Sequence, residues 1–301
     1  MAGPDARAAR IHRLMRRAGV PDITGVPGGR EVELPGRGST YVVDIPGPAD
    51  APTMILLHGT ASTALLNWFP VLEGLSEKFR LVLFDQRWHG RGIRSDTFRL
   101  ADCTDDVIAI ADALDLPNPI CTGYSLGGAV ALNTAHRHPD RVAGLVLCAT
   151  PYKFRETRRE KVFHEAFGVA ADLVAPFSLR RAGKLVHQVP EAAARPWAPG
   201  DFERWAMAEF RSTSPWALTQ VIAEIGRFDA SEWLHTLDIP SAVVITTRDR
   251  AVPVYRQVEM ATLIPGATIH LARTGHTGCV FGADRFVPAV LAACDSVAAR
   301  L

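Results

Sequence analysis

Residues 119–135 read PICTGYSLGGAVALNTA: a short apolar run, a Gly-x-Ser-x-Gly pattern, and a stretch of small and apolar residues. The run predicts a buried β-strand and the stretch predicts a helix, which puts Ser125 at the sharp turn between them. A side chain at such a turn projects out of the sheet, and only small neighbours fit, as Gly123 and Gly127 do. The pattern predicts that Ser125 is a nucleophile; the alternative is a serine that caps the helix.

A hydroxyl is a weak nucleophile, so the chain must also supply a base and a group that orients the base. The β-prone run 240–247 leads to Asp249, and the short run 267–271 leads to His276 in a glycine-flanked loop. Residues that follow parallel strands meet at the carboxyl edge of the sheet, where Ser125 is also expected. We therefore predict a catalytic triad of Ser125, His276 and Asp249. The alternatives are an exposed loop histidine and a turn-forming aspartate.

The order serine, aspartate, histidine resembles that of the α/β-hydrolase superfamily. Residues 56–60 (LLHGT) resemble the family's oxyanion loop after its third strand. Residues 84–90 (FDQRWHG) resemble the D-x-R-G-H-G segment after its fourth strand, with Trp88 where glycine is usual. The matches run in order from about residue 53 to residue 282, and the resemblance is to the capped serine hydrolase or esterase branch.

The resemblance implies an oxyanion hole made of two backbone N–H groups, those of Thr60 and Leu126. Such groups stabilise the negative oxygen of a tetrahedral intermediate. His58 is expected to brace its loop rather than to react. No His, Cys and acidic residues have the spacing of metal ligands, and residues 123–128 are not a dinucleotide motif because Ser125 replaces its second glycine. We expect neither a cofactor nor a metal.

Predicted strands and helices alternate along residues 53–148, which favours right-handed βαβ crossovers and a mostly parallel sheet. An antiparallel hairpin is predicted within residues 31–45. The fold class is α/β, and the resemblance implies an α/β-hydrolase fold: a mostly parallel eight-stranded sheet flanked by helices, with a helical cap inserted after the sixth strand. The predicted domains are a core of residues 1–150 and 234–301 and a cap of residues 151–233.

The predicted cap region is helical in composition, with predicted interruptions at Pro176, Pro190, Pro196, Pro199 and Pro215. It also carries large aromatic residues, which are expected to pack the cap onto itself and onto the core, with a minority lining the substrate pocket: Trp197, Phe202, Trp205, Phe210 and Trp216.

The composition is that of a large globular domain, with 301 residues of which 48% are hydrophobic. The 33 basic and 32 acidic residues leave a net charge of +1, which gives no electrostatic reason to expect a nucleic-acid partner. Five scattered cysteines favour free core thiols in a reducing, cytoplasmic compartment. No apolar run approaches the length of a membrane span. The arginine-rich first 20 residues lack the apolar core of a secretion signal and are predicted to form a solvated helix.

These residues predict a cofactor-free serine hydrolase that cleaves a carboxylic ester of a small molecule through an acyl-enzyme. The same triad would serve hydrolysis of a thioester, lactone, amide or carbon–carbon bond, or cofactor-free perhydrolysis. A non-catalytic ligand receptor on the same fold is a further alternative. Ser125 disfavours the haloalkane dehalogenase and epoxide hydrolase branches, whose nucleophile is a carboxylate. The sequence is compatible with a homo-oligomer and does not identify the substrate.

Overall fold

The structure, a computed structural model, describes residues 13, 15–21, 25–182 and 201–301. Most of the predicted N-terminal helix, and the prolines at 190, 196 and 199 with Trp197, lie outside the described residues. None of the helices in the described ranges is both long and apolar enough to cross a bilayer.

Eight strands form one sheet in the order β1-β2-β4-β3-β5-β6-β7-β8. β1 pairs antiparallel with β2, β2 pairs antiparallel with β4, and the other neighbours are parallel. The predicted mostly parallel eight-stranded sheet is therefore confirmed. The strands are β1 (Arg30–Leu34), β2 (Gly38–Ile45), β3 (Thr53–Leu57), β4 (Arg80–Phe84), β5 (Ile120–Tyr124), β6 (Gly144–Cys148), β7 (Ser241–Thr246) and β8 (Thr268–Ala272).

Helices lie between and after these strands. They are α1 (Ala64–Trp68), α2 (Leu72–Ser76), α3 (Leu100–Ala113), α4 (Leu126–Arg137), α5 (Arg158–Ala182), α6 (Asp201–Arg211), α7 (Pro215–Ile225), α8 (Val254–Leu263) and α9 (Ala283–Ala298). The sequence predicts one helix over residues 65–78, but a 3₁₀ turn at Phe69–Val71 separates α1 from α2. Pro70, which lacks an N–H, lies in this turn.

Proline acts differently in the region between β6 and β7. The prediction that Pro176 interrupts a helix was wrong, because α5 runs through it as a helix of 25 residues. An internal proline removes its own N–H bond, and the other main-chain bonds of a long helix remain. Pro215 begins α7, at a position where no intrahelical N–H bond is required.

Both faces of the sheet are covered, and the side chains of the central strands alternate between two core clusters. On β3, Ile55 and Leu57 join the cluster that includes residues of α3 and α4. Met54 and Leu56 join the cluster that includes residues of α2 and α9. This explains the continuous apolar sequence of β3, since neither face meets water. Polar side chains that could react are therefore expected in the loops at the carboxyl ends of the strands.

Among the described residues between β6 and β7, the α-helices are α5, α6 and α7. α6 packs on the core through aromatic rings, because Phe202 and Trp205 lie 5.3 and 5.7 Å from the ring of Phe69. Phe210, by contrast, is 58% exposed. The helical character of this region agrees with the sequence, while its role as a separate cap domain stays a prediction.

Candidate active site

The turn between β5 and α4 has the sharp geometry that the glycine pattern predicts. Ser125 has φ of 53° and ψ of −112°, a left-handed conformation that costs energy for a residue with a Cβ. A Cβ on Gly123 would lie 2.2 Å from the Gly127 carbonyl oxygen, and one on Gly127 would lie 2.1 Å from the Leu57 carbonyl oxygen. Neither glycine can therefore be replaced without moving backbone. In the described chain, the Ser125 hydroxyl makes no capping bond to α4.

The structure brings the three predicted triad residues together from three loops. The Nε2 atom of His276 lies 3.1 Å from the Ser125 hydroxyl oxygen. Its Nδ1 atom lies 2.8 Å from a carboxylate oxygen of Asp249. An Nδ1–H that donates to Asp249 leaves Nε2 free to accept the serine proton. The imidazole side chain is 28% exposed, whereas the Asp249 side chain has no exposed surface.

Asp249 lies in a dense set of hydrogen-bond donors. Its Oδ1 accepts from the backbone N–H of Ala251 at 2.9 Å and of Val252 at 2.8 Å. Its Oδ2 accepts from the Thr246 hydroxyl at 2.8 Å, besides His276. Burial opposes ionisation, but the bond and charge of His276 and these other donors outweigh it, so the pKa of Asp249 is lowered. The aspartate is therefore an anion at neutral pH.

Sequence reasoning missed Thr246, although a hydroxyl three residues before a predicted acid was a readable signal. It also missed Thr150, whose hydroxyl donates to the Ser125 carbonyl oxygen at 2.8 Å. Thr150 also leaves no room for a side chain at Gly128, where a Cβ would lie 2.1 Å from the Thr150 hydroxyl oxygen. The elbow is thus braced from β6 as well as from its own glycines.

The two predicted oxyanion residues lie on either side of the elbow. Leu126 is the first residue of α4, so its N–H points out of the helix N-terminus. Thr60 lies in the turn after β3, where the Asn67 side chain accepts from the Gly59 N–H at 3.0 Å and Ala61 has φ of 61°. In the described part of the chain, neither the Thr60 N–H nor the Leu126 N–H has a hydrogen-bond acceptor. Both groups are available for a ligand oxygen.

The His58 ring is held by hydrogen bonds to its own loop and to the loop after β4. Its Nδ1 donates to the Gly59 carbonyl at 2.8 Å, and its Nε2 accepts from the Gln86 N–H at 2.9 Å. Burial lowers the pKa of His58 to about 4, against the effect of the bond to Gly59. Burial and the neighbouring His58 lower the pKa of His89 to about 3. Both rings are neutral at pH 7, and His58 bridges two loops, the bracing arrangement expected from the sequence.

Trp88 occupies the place where the resembled family usually has glycine. Its φ of 68° is in the left-handed region, which explains why glycine is usual there. The indole is buried and its N–H donates to the Ser95 carbonyl at 3.1 Å. The loop therefore keeps the glycine-like conformation and gains a packed aromatic ring.

A second acidic group, not foreseen from the sequence, is buried where α6 meets the loops after β3 and β4. Glu209 is 0% exposed and accepts a hydrogen bond from the Thr63 hydroxyl. A guanidinium nitrogen of Arg91 lies 3.7 Å from its other oxygen. Burial and the nearby Asp85 raise the pKa of Glu209 to about 7, against the opposing effects of Thr63 and Arg91. Its sequence neighbours gave no signal of this contact, which spans 146 positions.

No group of three or more His, Cys, Asp or Glu side chains within the described ranges is arranged to hold a metal ion. All five cysteines are buried and none forms a disulfide. The polar groups that the described residues bring to this site are a hydroxyl, an imidazole, a carboxylate and backbone N–H groups.

Comparison with known proteins places this geometry in a family. A family model described as alpha/beta hydrolase fold matches residues 52–283. The "Putative carbamate hydrolase RutD" of Caulobacter sp. (strain K31) is 29% identical over 81% of this chain and 91% of that protein. The protein of the same name from Rhizobium rhizogenes (strain K84 / ATCC BAA-868) is 31% identical over 75% of this chain and 86% of its own length.

Solved structures agree with the observed fold. The enol-lactonase from Burkholderia xenovorans LB400 superimposes with a TM-score of 0.70 and 22% identity, over 88% of this chain and 100% of that one. At this identity the likeness supports the fold alone. The family match covers most of the chain and the sheet has the same architecture, so the protein belongs to the alpha/beta hydrolase fold family and is a hydrolase.

Proposed function

We propose that the protein is a serine hydrolase that cleaves a carboxylic ester, or a related acyl bond, through a Ser125–His276–Asp249 triad. The observation that carries the proposal is the position of the His276 ring, with Nε2 3.1 Å from the Ser125 hydroxyl and Nδ1 2.8 Å from Asp249. These distances are within hydrogen-bond reach, which is the first requirement for a general base.

In the first step, the Ser125 hydroxyl oxygen attacks the substrate carbonyl carbon while His276 Nε2 takes the hydroxyl proton. The electron pair of the C=O π bond moves onto the carbonyl oxygen. The Thr60 and Leu126 N–H groups would donate to this oxyanion, each contributing about 3–4 kcal/mol to the stability of the intermediate. Asp249, an anion at neutral pH, stabilises the imidazolium that forms.

In the second step, the intermediate collapses. The bond between the carbonyl carbon and the leaving-group oxygen breaks, and His276 gives its proton to that oxygen, so an alcohol departs. Water then attacks the acyl-enzyme with His276 again as base, and release of the carboxylic acid restores the Ser125 hydroxyl. The proton that Ser125 loses goes to the alcohol, and water supplies the proton that restores the Ser125 hydroxyl.

We also propose that residues 151–233 are a cap that shapes the substrate site. Its support is the contact of α6 with the oxyanion side of the core, through Phe202 on Phe69 and through Glu209 on Thr63. Thr63 is three residues from Thr60, so a shift of α6 would disturb the loop that carries an oxyanion donor.

A carbamate is a second candidate substrate, because the two relatives near 30% identity carry that activity in their names. The triad would attack a carbamate carbonyl by the same steps. A series of p-nitrophenyl carboxylic esters of increasing chain length, assayed beside a p-nitrophenyl carbamate, separates the two classes by kcat/KM.

The test of the mechanism is Ser125→Ala. Loss of the nucleophile should lower kcat by a factor on the order of 10⁶, as measured in another serine hydrolase. A fluorophosphonate probe should label the unsubstituted protein at Ser125, shown by peptide mass spectrometry. Ser76→Ala is the matched control, since this hydroxyl donates to the Glu73 carbonyl within α2. Retention of a tenth of the activity by Ser125→Ala, or turnover of none of the substrates by the unsubstituted protein, would contradict the proposal.

A further inference from the structure

The residue before the nucleophile makes a contact that the proposed mechanism does not use. Tyr124 is the last residue of β5 and is buried. Its hydroxyl donates to the backbone carbonyl oxygen of His276 at 2.5 Å, across 152 positions of sequence. The strand end that carries Ser125 is thus bonded directly to the backbone of the proposed base.

Among the described residues, this is the hydrogen bond that joins the His276 backbone to another part of the fold. The loop closes on itself where the Gly278 N–H donates to the Gly275 carbonyl, and its start is held where the Arg248 N–H donates to the Thr274 carbonyl. Within the described ranges, no other hydrogen bond reaches the main chain of His276 itself. Without the Tyr124 hydroxyl, that backbone would be held through its neighbours alone.

The ring of Tyr124 is itself fixed, so its hydroxyl has a defined position. It packs edge-on against Trp68 at 6.3 Å and Phe286 at 5.5 Å. The His276 ring lies 5.8 Å away. A phenylalanine at this place would keep these ring contacts and lose the hydroxyl alone.

The Tyr124 hydroxyl keeps its proton at neutral pH. Burial raises the pKa of Tyr124 well above its usual value, and the neighbouring Cys279 adds to the effect. Burial likewise raises the pKa of Cys279 to about 12. The phenol is therefore a donor to the His276 carbonyl at neutral pH.

We propose that Tyr124 is a positioning residue, whose hydroxyl holds the His276 loop at the distance from which Nε2 reaches the Ser125 hydroxyl. The inference rests on the proposed function. Asp249 fixes Nδ1 at 2.8 Å, but a ring held at one nitrogen still swings about that bond. The bond from Tyr124 fixes the backbone from which the ring projects, which sets the separation of 3.1 Å at Nε2. Small errors in such a distance lower rates strongly.

Tyr124→Phe is the direct test. We expect kcat on the best p-nitrophenyl ester to fall about 10- to 100-fold, the effect of one lost buried hydrogen bond expressed in the transition state, with KM changed less than about twofold. The rate of labelling by a fluorophosphonate should fall in parallel, because labelling needs the same proton transfer. The downfield NMR signal of the His276 Nδ1 proton should persist, since its partner Asp249 is unchanged.

Tyr41→Phe is the matched control. The Tyr41 hydroxyl also bonds to a backbone group, because it accepts from the Gly29 N–H at 2.6 Å. Tyr41 lies on β2. The Tyr41→Phe substitution should leave kcat unchanged. Incorporation of 3-fluorotyrosine at position 124, which keeps the hydroxyl donor, should restore activity that Tyr124→Phe loses.

A kcat of Tyr124→Phe within about twofold of the unsubstituted protein would overturn the positioning role and leave the triad intact. A protein that turns over no ester and takes no probe would instead overturn the proposed function. If Tyr124→Phe does not fold, NMR of the unsubstituted protein tests the hydrogen bond. One of its four tyrosines should then show a slowly exchanging hydroxyl proton by NMR, and the absence of such a signal would refute the bond.

Discussion

Two buried carboxyl groups, Asp249 after β7 and Glu209 on α6, are equally hidden from water and differ in charge behaviour. The side chains of Asp249 and Glu209 are both 0% exposed. The pKa of Asp249 is lowered, whereas the pKa of Glu209 is raised to about 7. Burial penalises the anion at both places, so the difference must come from the partners.

The partners differ in number and in sign. Asp249 accepts from two backbone N–H groups, one hydroxyl and the His276 imidazole. Glu209 accepts from the Thr63 hydroxyl, and its Oε1 has no hydrogen-bond partner among the described residues. The carboxylate of Asp85 adds repulsion, which Arg91 offsets only in part. The loop around Asp249 stabilises a carboxylate anion, whereas the surroundings of Glu209 favour the neutral acid.

The largest effect is expected where the anion has a chemical role. Asp249→Asn keeps the shape of the side chain and removes its charge, so His276 Nδ1 can meet an amide N–H instead of an acceptor and adopt the wrong tautomer. By analogy with another serine hydrolase, kcat should fall by about 10⁴. Steady-state kinetics with the preferred p-nitrophenyl ester measures the loss.

Asp238→Asn is the control, because Asp238 is exposed and precedes β7 rather than following it. It should leave kcat as it is. An Asp249→Asn variant that retained more than a tenth of the activity would show that the donor-rich loop serves stability and not the reaction.

The second effect concerns stability and should appear at Glu209. The unfolded chain loses this proton near the usual pKa of 4.5, and the folded protein loses it near 7. The contribution of Glu209 to the free energy of unfolding should therefore fall as pH rises from about 4.5 to about 7, by a total of about 3 kcal/mol, and be constant above that range. Glu209→Gln lacks the ionisable group, so it should be the more stable protein at pH 8 by about that amount.

The free energy of unfolding of both proteins is measured in urea between pH 4.5 and pH 8. The difference between them isolates the contribution of Glu209, because all other ionisable groups are present in both. The groups that face Glu209 are the Asp85 carboxylate, the Arg91 guanidinium and the Thr63 hydroxyl. Parallel stability curves for the two proteins would mean that Glu209 is ionised when folded and that the contrast with Asp249 is absent.

The sequence predicted the parts of the molecule that follow from local pattern. The parallel strands within residues 53–148 and the antiparallel hairpin within residues 31–45 formed as predicted, and the family and sheet were confirmed. Ser125, His276 and Asp249 lie together as predicted, because residues after parallel strands share one edge of the sheet. Their roles stay a prediction until the variants are measured.

What escaped prediction depends on contacts between distant segments. Glu209 meets Thr63 across 146 positions, and Tyr124 meets His276 across 152. Neither pair has a spacing or residue pattern that distinguishes it, since each is created by helix docking or by loop packing. Local rules also misjudged proline: Pro70 lies in a turn that separates two short helices, while α5 continues past Pro176.

The smallest effect should come from removing one donor of several at Asp249. Thr246→Val preserves the shape of the side chain and deletes the hydroxyl that donates to Asp249 Oδ2. Two N–H groups and His276 remain, so we expect a stability loss of about 1 kcal/mol and a loss in kcat/KM of about 3- to 10-fold. With one donor fewer, the pKa of Asp249 should rise.

Thr247→Val is the matched control for this change, because the neighbouring hydroxyl donates to the Ala272 carbonyl at 3.4 Å and does not contact Asp249. The Thr247→Val substitution should leave kcat/KM unchanged. If Thr246→Val lowered kcat/KM as much as Asp249→Asn does, the donors would act as one unit and not additively. If Thr246→Val left kcat/KM and stability unchanged, the backbone N–H groups and His276 would suffice to hold the anion. The contrast with Glu209 would then rest on the absence of like charge beside Asp249.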